Sequence, residues 1–196
     1  YIFNPKDVPL NKATYVVFDF ETTGLSARYD RIIEFGAVKF KDGLVQDTMD
    51  LLIDPNRPLS KTIKELTHIT DEMLRGRPKI KEALKIIKDF IEDEDTILVT
   101  HNAQFDIGFL KHYAKVLGYD FDFTYLDTLT LAQELFPEYK TYKLGRIAKN
   151  LGIKVEVAHR ALDDVDTTVK VFNIMIDMLK ERGAKTLGDI EEYASD

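Results

Sequence analysis

Cysteine and tryptophan are absent from the 196-residue sequence. The lack of cysteine excludes a disulfide framework, a thiolate zinc site and a cysteine nucleophile, and it favours a cytoplasmic protein. Long apolar runs are missing as well, because no stretch approaches the roughly 18 consecutive apolar residues of a membrane span. We therefore expect no membrane partner.

The sequence also lacks an excess of basic residues. Its 27 Lys and Arg face 34 Asp and Glu, which gives a net charge of −7 with histidine neutral. A protein that coats duplex DNA needs a basic patch that neutralises many phosphates, so the acidic balance argues against this class of protein. The acidic balance does not exclude a nuclease.

The residues that are present favour one folded domain. With 44% hydrophobic and 31% charged residues, the chain can bury a sizeable core and differs from disordered or repetitive proteins. We expect a single domain over residues 1–196, with its core at about 14–182. The first residue is tyrosine rather than methionine, which is compatible with removal of a tag or with excision from a longer polypeptide, and we favour excision.

Two kinds of pattern follow each other along the chain. Short aromatic and β-branched runs come first, and an Asp-Gly pair predicts a hairpin between two of them. Apolar residues at spacings of three and four then predict helices, one of them beginning at an Asn102 N-cap. The predicted strands are 14–20, 31–40, 44–53, 96–100 and 119–124, and the predicted helices are 79–92, 102–118, 128–135, 143–151, 160–182 and 187–194. This order predicts an α/β fold: a mixed five-stranded sheet, with three antiparallel strands followed by parallel strands, and helices on both faces.

Two acids interrupt the first predicted strand. Asp19 and Glu21 are two residues apart, so their side chains point to the same face near the carboxyl end of the strand. With 34 acids in 196 residues, about six such pairs are expected by chance, so the spacing alone is weak evidence. Their place in an apolar strand is more informative, because crowded carboxylates cost free energy unless a hard divalent cation neutralises them.

Two later motifs add further acids and a histidine. Asp106 ends HNAQFD one helical turn after the fourth predicted strand, where it serves either the helix dipole or a site shared with the neighbouring strand. His159 and Asp164 occur in HRALDD, the histidine just before the last long helix and Asp164 one turn inside it. Asp164 borders the apolar stripe of that helix, whereas Asp163 and Asp166 should be more solvated.

In chain order these residues compose Asp19-x-Glu21, then Asp106, then His159-x-Ala161-x-x-Asp164. The pattern resembles the DEDD exonuclease superfamily in its histidine variant, from residue 14 to about 182. Within that superfamily, VVFDFETTGL and ITDEML look most like the proofreading exonuclease domain of PolC-type bacterial DNA polymerase III. The resemblance implies a ribonuclease-H-like fold.

The resemblance also implies a chemistry for these positions. The chain would release nucleoside monophosphates from the 3′ end of single-stranded or mispaired DNA, proofreading for a replicative DNA polymerase in the same chain or complex. Two divalent cations, Mg²⁺ or Mn²⁺, would be the cofactors, about 3.5–4 Å apart. Asp19, Glu21 and Asp164 would hold one, Asp19 and Asp106 the other, directly or through water, and His159 would be the general base.

Substrate contacts are implied by the same resemblance at Thr22, Thr23, Gly24, Leu25, Leu66, Thr67, Asn102 and Phe105. The structural alternatives are a simple turn at 22–25 and a core position for Phe105, whose helical spacing is typical of buried residues. Relatives often have His-Gly where this chain has Thr67-His68, so we do not expect His68 to contact the 3′ nucleotide.

Other classes of function remain open at this point. RNA-trimming exoribonucleases share the motifs, and the sequence does not distinguish DNA from RNA, because cleft shape recognises the 2′-hydroxyl. A non-catalytic nucleic-acid-binding module on the same fold would be expected to lose at least one of the five motif residues, yet all five are present. A merely solvated acidic surface would give no signal in a calorimetric metal titration.

Overall fold

The computed structural model describes residues 7–92, 96–120, 123–155 and 160–194. The elements in these ranges are β1 (Thr14–Thr22), β2 (Ile32–Lys41), β3 (Leu44–Leu52), α1 (Lys61–Thr67), α2 (Asp71–Leu74), α3 (Ile80–Ile91), β4 (Thr96–Thr100), α4 (Ala103–Val116), β5 (Thr124–Asp127), α5 (Thr128–Leu135), α6 (Leu144–Asn150), α7 (Ala161–Glu181) and α8 (Leu187–Ala194). Among the helices of the described ranges, none has both the length and the apolar character that a bilayer-spanning segment needs.

The five strands form one mixed sheet in the order β3-β2-β1-β4-β5. Strand β2 pairs antiparallel with both β1 and β3, whereas β4 pairs in parallel with both β1 and β5. At the β2–β3 hairpin, Asp42 and Gly43 both have positive φ, at 51° and 74°, as a tight hairpin turn requires. The predicted mixed sheet, with β4 parallel beside β1, is confirmed.

Helices cover both faces of the sheet, as predicted. On one face, Tyr15 and Val17 of β1 pack with Phe172 of α7 and with apolar residues of α5, α6 and α8. On the other face, Phe18 and Phe20 of β1 pack with residues of α3 and α4. Alternate residues of β1 therefore enter different halves of the core, which fixes the face on which any polar residue of this strand emerges.

Two sequence predictions near α4 need correction. The strand predicted at 119–124 is wrong, since β5 begins only at Thr124 and the backbone N–H of Tyr119 closes the end of α4 by donating to Ala114 O at 2.8 Å. Asn102 does precede α4, but its side chain makes no capping hydrogen bond. Its backbone is instead left-handed, with φ at 67°.

The short helices α1 and α2 were not predicted from the sequence. Each begins at a hydroxyl that accepts a backbone N–H three residues later, Ser60 from Ile63 and Thr70 from Met73, both at 3.2 Å. Helices of 7 and 4 residues are too short to show an apolar period, so capping chemistry was the available signal.

Candidate active site

Two acidic side chains continue the α7-facing side of β1. Tyr15 and Val17 point from this strand into the core beneath α7. The period of two then places Asp19 and Glu21 on the same face, and both are partly buried. The acids therefore lie at the carboxyl end of a buried strand, as the sequence predicted.

A glycine on the neighbouring strand lets α7 approach this face. Gly36 of β2 lies directly opposite Asp19. A Cβ on Gly36 would lie 2.8 Å from the Cβ of Ala161 and 2.9 Å from the backbone nitrogen of Leu162, closer than real Cβ contacts come. Only glycine therefore admits the first turn of α7 at this distance, and that turn carries Asp164.

Three carboxylates converge where α7 meets β1. Asp19, Glu21 and Asp164 each offer one oxygen, and these oxygens all lie within 4.8 Å of one another. They form the only group of three or more such side chains in the parts of the chain that the structure describes. Asp164 is partly buried while Asp163 and Asp166 are exposed, as the helical period predicted.

Asp106 is a fourth acid, held beside this group by two strands. It lies in the first turn of α4 and is 2% exposed. Thr100 Oγ1 donates to Asp106 Oδ2 at 2.7 Å, and the backbone N–H of Phe20 donates to Oδ1 at 3.3 Å. These bonds from β4 and β1 fix the carboxylate close enough to Asp19 for the two charges to interact.

Crowding and burial raise the pKa values of these acids. Burial raises the pKa of Asp19 well above its usual value, and the charges of Asp106 and Asp164 raise it further. Burial, followed by the charge of Asp164, raises the pKa of Glu21 to about 8. Burial also raises the pKa of Asp106 to about 7, against the effect of its two hydrogen bonds.

This arrangement suits a hard divalent cation. Each influence found on the pKa of Asp19 opposes its ionisation, so the carboxylates are costly to charge without a cation. Mg²⁺ and Mn²⁺ prefer carboxylate oxygens, and the cluster offers several oxygens and no competing thiolate. The donor set therefore fits divalent-metal dependence.

The predicted general base, His159, lies outside the described residues. Arg160 follows it directly and is described, as the residue that precedes α7. The role of His159 stays a prediction.

The predicted substrate loop after β1 is braced by Asp30. Thr22 Oγ1 donates to Gly24 O at 2.6 Å, and Thr23 Oγ1 donates to Asp30 Oδ1 at 3.2 Å. A Cβ on Gly24 would lie 2.4 Å from the Asp30 carboxylate, so a larger residue here would have to displace that side chain. Leu25 is left 87% exposed on a loop whose backbone is fixed.

The remaining predicted substrate residues lie on α4 and α1. Asn102 and Phe105 stand at the start of α4, and the partly buried ring of Phe105 packs 5.1 Å from that of Phe109. On α1, Leu66 is exposed, whereas Thr67 is buried and its hydroxyl donates to a carbonyl of its own helix. The structure thus presents Leu66 at the surface and gives Thr67 a structural bond.

Sequence reasoning missed one acid of this region. Glu34 of β2 is fully buried and lies directly opposite Glu21. The available signal was a single acid within the apolar run RIIEFGAV, because a carboxylate is rarely fully buried unless it is paired.

The relationship to known proteins agrees with this geometry. A family model described as exonuclease, RNase T, matches residues 16–172. The chain belongs to this exonuclease family. Membership confirms the DEDD resemblance drawn from the three motifs.

Within the family, PolC-type DNA polymerases III are among the similar proteins. The chain is 42% identical over 194 residues to the enzyme of Staphylococcus haemolyticus and 41% identical to that of Staphylococcus aureus. Each match covers 98% of this chain but 13% of the relative. The chain therefore spans only a small part of the curated relatives that it matches.

Solved exonuclease structures share the fold. Escherichia coli exonuclease I, in its zinc-bound complex with single-stranded DNA, superposes with a TM-score of 0.74 at 20% identity, covering 87% of this chain and 43% of that one. Exonuclease X in complex with 5′ overhanging duplex DNA gives a TM-score of 0.68 at 26% identity, covering 92% and 99%. The ribonuclease-H-like fold that the motifs implied is confirmed.

Proposed function

We propose that the chain is a metal-dependent 3′–5′ exonuclease that releases nucleoside monophosphates from single-stranded or mispaired DNA. The observation that carries this proposal is the convergence of Asp19, Glu21 and Asp164, with oxygens within 4.8 Å, in a member of an exonuclease family.

Each acid has a distinct task in this proposal. Asp19, Glu21 and Asp164 would hold one divalent cation, and Asp106, fixed by Thr100 and Phe20, would serve a second one together with Asp19. When bound, the cations would activate the attacking water and stabilise the charge that develops on the leaving oxygen. Their number and identity are part of the proposal.

The reaction is hydrolysis of one phosphodiester bond. The water oxygen bonds to phosphorus, the bond from phosphorus to the 3′ oxygen of the preceding nucleotide breaks, and that oxygen gains a proton. The products are a nucleoside 5′-monophosphate and a strand shorter by one nucleotide. His159 would take the proton from the water, because an imidazole titrates near neutral pH.

The terminal nucleotide would lie between the loop after β1 and the start of α4. Leu25 is exposed on a braced loop and could wedge against the terminal base. Asn102 and Phe105 precede Asp106 at the start of α4 and would line the opposite side. Contacts of this kind hold the scissile phosphate in place without reading sequence.

Proofreading for a replicative DNA polymerase is the setting that the PolC-type relatives support. The chain alone has a net charge of −7, so its long-range attraction to DNA should be weak. Residence in the same chain or complex as a polymerase would supply a high effective concentration of 3′ ends. This setting accounts for a nuclease without a basic footprint.

The test is degradation of end-labelled oligonucleotides by the purified chain. Single-stranded DNA, a primer with a mispaired 3′ end and RNA of the same sequence are incubated with Mg²⁺ or Mn²⁺, with EDTA as the control. We expect 5′-labelled DNA to shorten one nucleotide at a time only when metal is present. Faster cleavage of RNA would identify an exoribonuclease instead, and cleavage in EDTA would contradict the proposal.

A matched pair of variants assigns the activity to the site. Asp164→Asn removes a proposed ligand, whereas Asp166→Asn removes an exposed acid two residues later on the same helix. We expect the first variant to be inactive and the second to retain wild-type activity. Equal activity of the two variants would exclude Asp164 from the chemistry.

A further inference from the structure

A fifth carboxylate lies beside the proposed metal ligands, yet its contacts differ from theirs. Glu34 is fully buried on β2, directly opposite Glu21 in the strand register. Directly opposed residues of antiparallel strands share a face, so Glu34 points to the same side of the sheet as Asp19 and Glu21. A buried anion at this position needs a cation or several N–H donors.

Arg160 supplies the cation from the segment that begins α7. Its Nε lies 3.0 Å from both carboxylate oxygens of Glu34, and its Nη2 also donates to Oε2. The backbone N–H of Ala161 donates to Glu34 Oε1 at 3.0 Å. Glu34 thus receives the first backbone donor of α7 together with the guanidinium that precedes it, and both of its oxygens are occupied.

Strand β2 also contacts the first turn of α7 at a second residue. Gly36, two residues after Glu34, leaves the space that Ala161 and Leu162 fill. The ion pair and this close contact together fix the position and the direction of the start of α7. Asp164 follows three residues after Ala161, so its location depends on both contacts.

The contacts between β2 and the first turn of α7 oppose the repulsion between Asp164 and the two acids of β1. Bringing Asp164 to within 4.8 Å of Asp19 and Glu21 places like charges together, which favours movement of the helix end away from the sheet. The charge of Arg160 also lowers the pKa of Glu21, in the direction opposite to its carboxylate neighbours. A cation held next to the cluster by Glu34 therefore acts against the repulsion.

We propose that Glu34 and Arg160 are positioning residues whose bidentate pair holds the first turn of α7 on β2 and so presets Asp164 against Asp19 and Glu21 for metal binding. The inference rests on the proposed function only in taking these three acids as the metal ligands. Glu34 itself is not a ligand, because its oxygens are engaged by Arg160 and Ala161.

The test measures binding of Mn²⁺ to the full chain in the absence of DNA, by calorimetric titration. The variants are Arg160→Met, which removes the cation, Arg160→Lys, which keeps a charge but not the two-pronged geometry, and Glu34→Gln, which keeps the shape. Residues that support metal ligands typically change metal affinity or activity by about 10- to 100-fold when they are replaced. We expect affinity to weaken in that range for Arg160→Met and Glu34→Gln, with an intermediate value for Arg160→Lys.

The control is Lys88→Met, which removes the ion pair between Lys88 and Glu92 on α3, a helix packed on the other face of the sheet. This variant should bind Mn²⁺ as the wild type does. Melting temperatures in EDTA establish the temperature at which every variant is fully folded, and the titrations are carried out below it. If Arg160→Met does not fold, Arg160→Lys and Glu34→Gln decide the question.

Two kinetic readouts separate positioning from stability. The Mn²⁺ concentration for half-maximal cleavage should rise and kcat should fall in the folded variants, while KM for DNA stays near the wild-type value. A purely structural pair would lower the melting temperature and leave the half-maximal Mn²⁺ concentration and kcat, as well as KM, unchanged in the folded protein. Wild-type Mn²⁺ affinity in folded Arg160→Lys and Glu34→Gln would overturn the inference. Absence of nuclease activity in the wild type would contradict the proposed function alone, because the titration does not depend on cleavage.

Discussion

Two groups of buried or partly buried acids lie at the carboxyl ends of strands in this sheet, and their surroundings differ. Asp127, the last residue of β5, is 8% exposed and accepts backbone N–H groups from Asn102 at 2.9 Å, Ala103 at 3.0 Å and Leu129 at 2.9 Å. Asp19 and Glu21, at the end of β1, have other carboxylates as the charged neighbours that shift their pKa values most. Burial raises the pKa of Asp127, and its three backbone donors oppose that rise, whereas neighbouring carboxylates raise the pKa values of Asp19 and Glu21 further.

This difference separates a structural acid from a candidate functional one. The bonds to Asp127 hold the left-handed backbone of Asn102 and the starts of α4 and α5, so the carboxylate serves the fold. The carboxylates around Asp19 are costly to charge without a cation, and crowded acids with raised pKa values are typical of candidate functional sites. Removing one acid from each region should therefore have opposite consequences for stability and activity.

The largest effect is expected for Asp19→Asn. Turnover should be abolished, since this carboxylate is common to both proposed cation positions, and calorimetric binding of Mn²⁺ should weaken. The metal-free variant should melt at the wild-type temperature or above it, because the substitution relieves repulsion without creating a cavity. A melting temperature several degrees lower, with activity retained, would place Asp19 with the structural acids.

His159→Ala should give the next largest effect and should separate proton transfer from cation binding. Loss of a general base typically slows a reaction by about 10² to 10⁴-fold, and we expect single-turnover cleavage to slow by that range. Mn²⁺ affinity should hardly change, because the acids suffice as ligands. The pH–rate profile of the wild type should contain an inflection that the variant lacks. An inflection that persists in the variant would limit His159 to a positioning role.

Asp127→Ala tests the other side of the comparison. Three backbone N–H donors lose their acceptor, and a buried unsatisfied donor costs about 1–3 kcal/mol. In a chain of this size each kcal/mol lowers the melting temperature by roughly 2–4 °C. Thermal melting should therefore show a clear loss of stability, with Mn²⁺ affinity close to wild type in the folded protein. An unchanged melting temperature would contradict the structural assignment.

The sequence predicted elements well where the pattern is local. The strand 96–100 and the helices 128–135 and 187–194 agree with β4, α5 and α8 at both ends. Apolar runs and breaking residues fix such elements without help from the rest of the chain. The strand predicted at 119–124 fails because pairing with β4 begins at Ile97 and Thr124, a register that only the assembled sheet determines.

The residues of the candidate site can also be divided into those that a local sequence pattern predicts and those that only the folded chain brings together. The spacing of Asp19 and Glu21 and the placement of Asp164 on α7 follow from periods of two and 3.6 residues, so the sequence was sufficient. The pair of Glu34 and Arg160 joins residues 126 positions apart, and no local period connects them. Their role becomes visible only when β2 and α7 are in contact.

The last expected effect is a dependence of metal-free stability on pH. Glu21 has a pKa of about 8 in the folded chain against 4.5 as its ordinary value, so the folded state binds its proton more tightly than the unfolded state does. The stabilisation that protonated Glu21 gives to the folded state is fully present below about pH 4.5 and is lost as the pH rises through about 8.

In EDTA, the melting temperature should therefore fall between pH 5 and pH 9. Saturating Mg²⁺ should remove most of the fall, because a bound cation replaces the proton in offsetting the charge. Glu21→Gln should reduce this decrease in melting temperature, whereas Lys88→Met should leave the decrease unchanged. A melting temperature in EDTA that stays constant over this range would mean that the acids of β1 are not crowded in the folded protein, and the contrast with Asp127 would no longer hold.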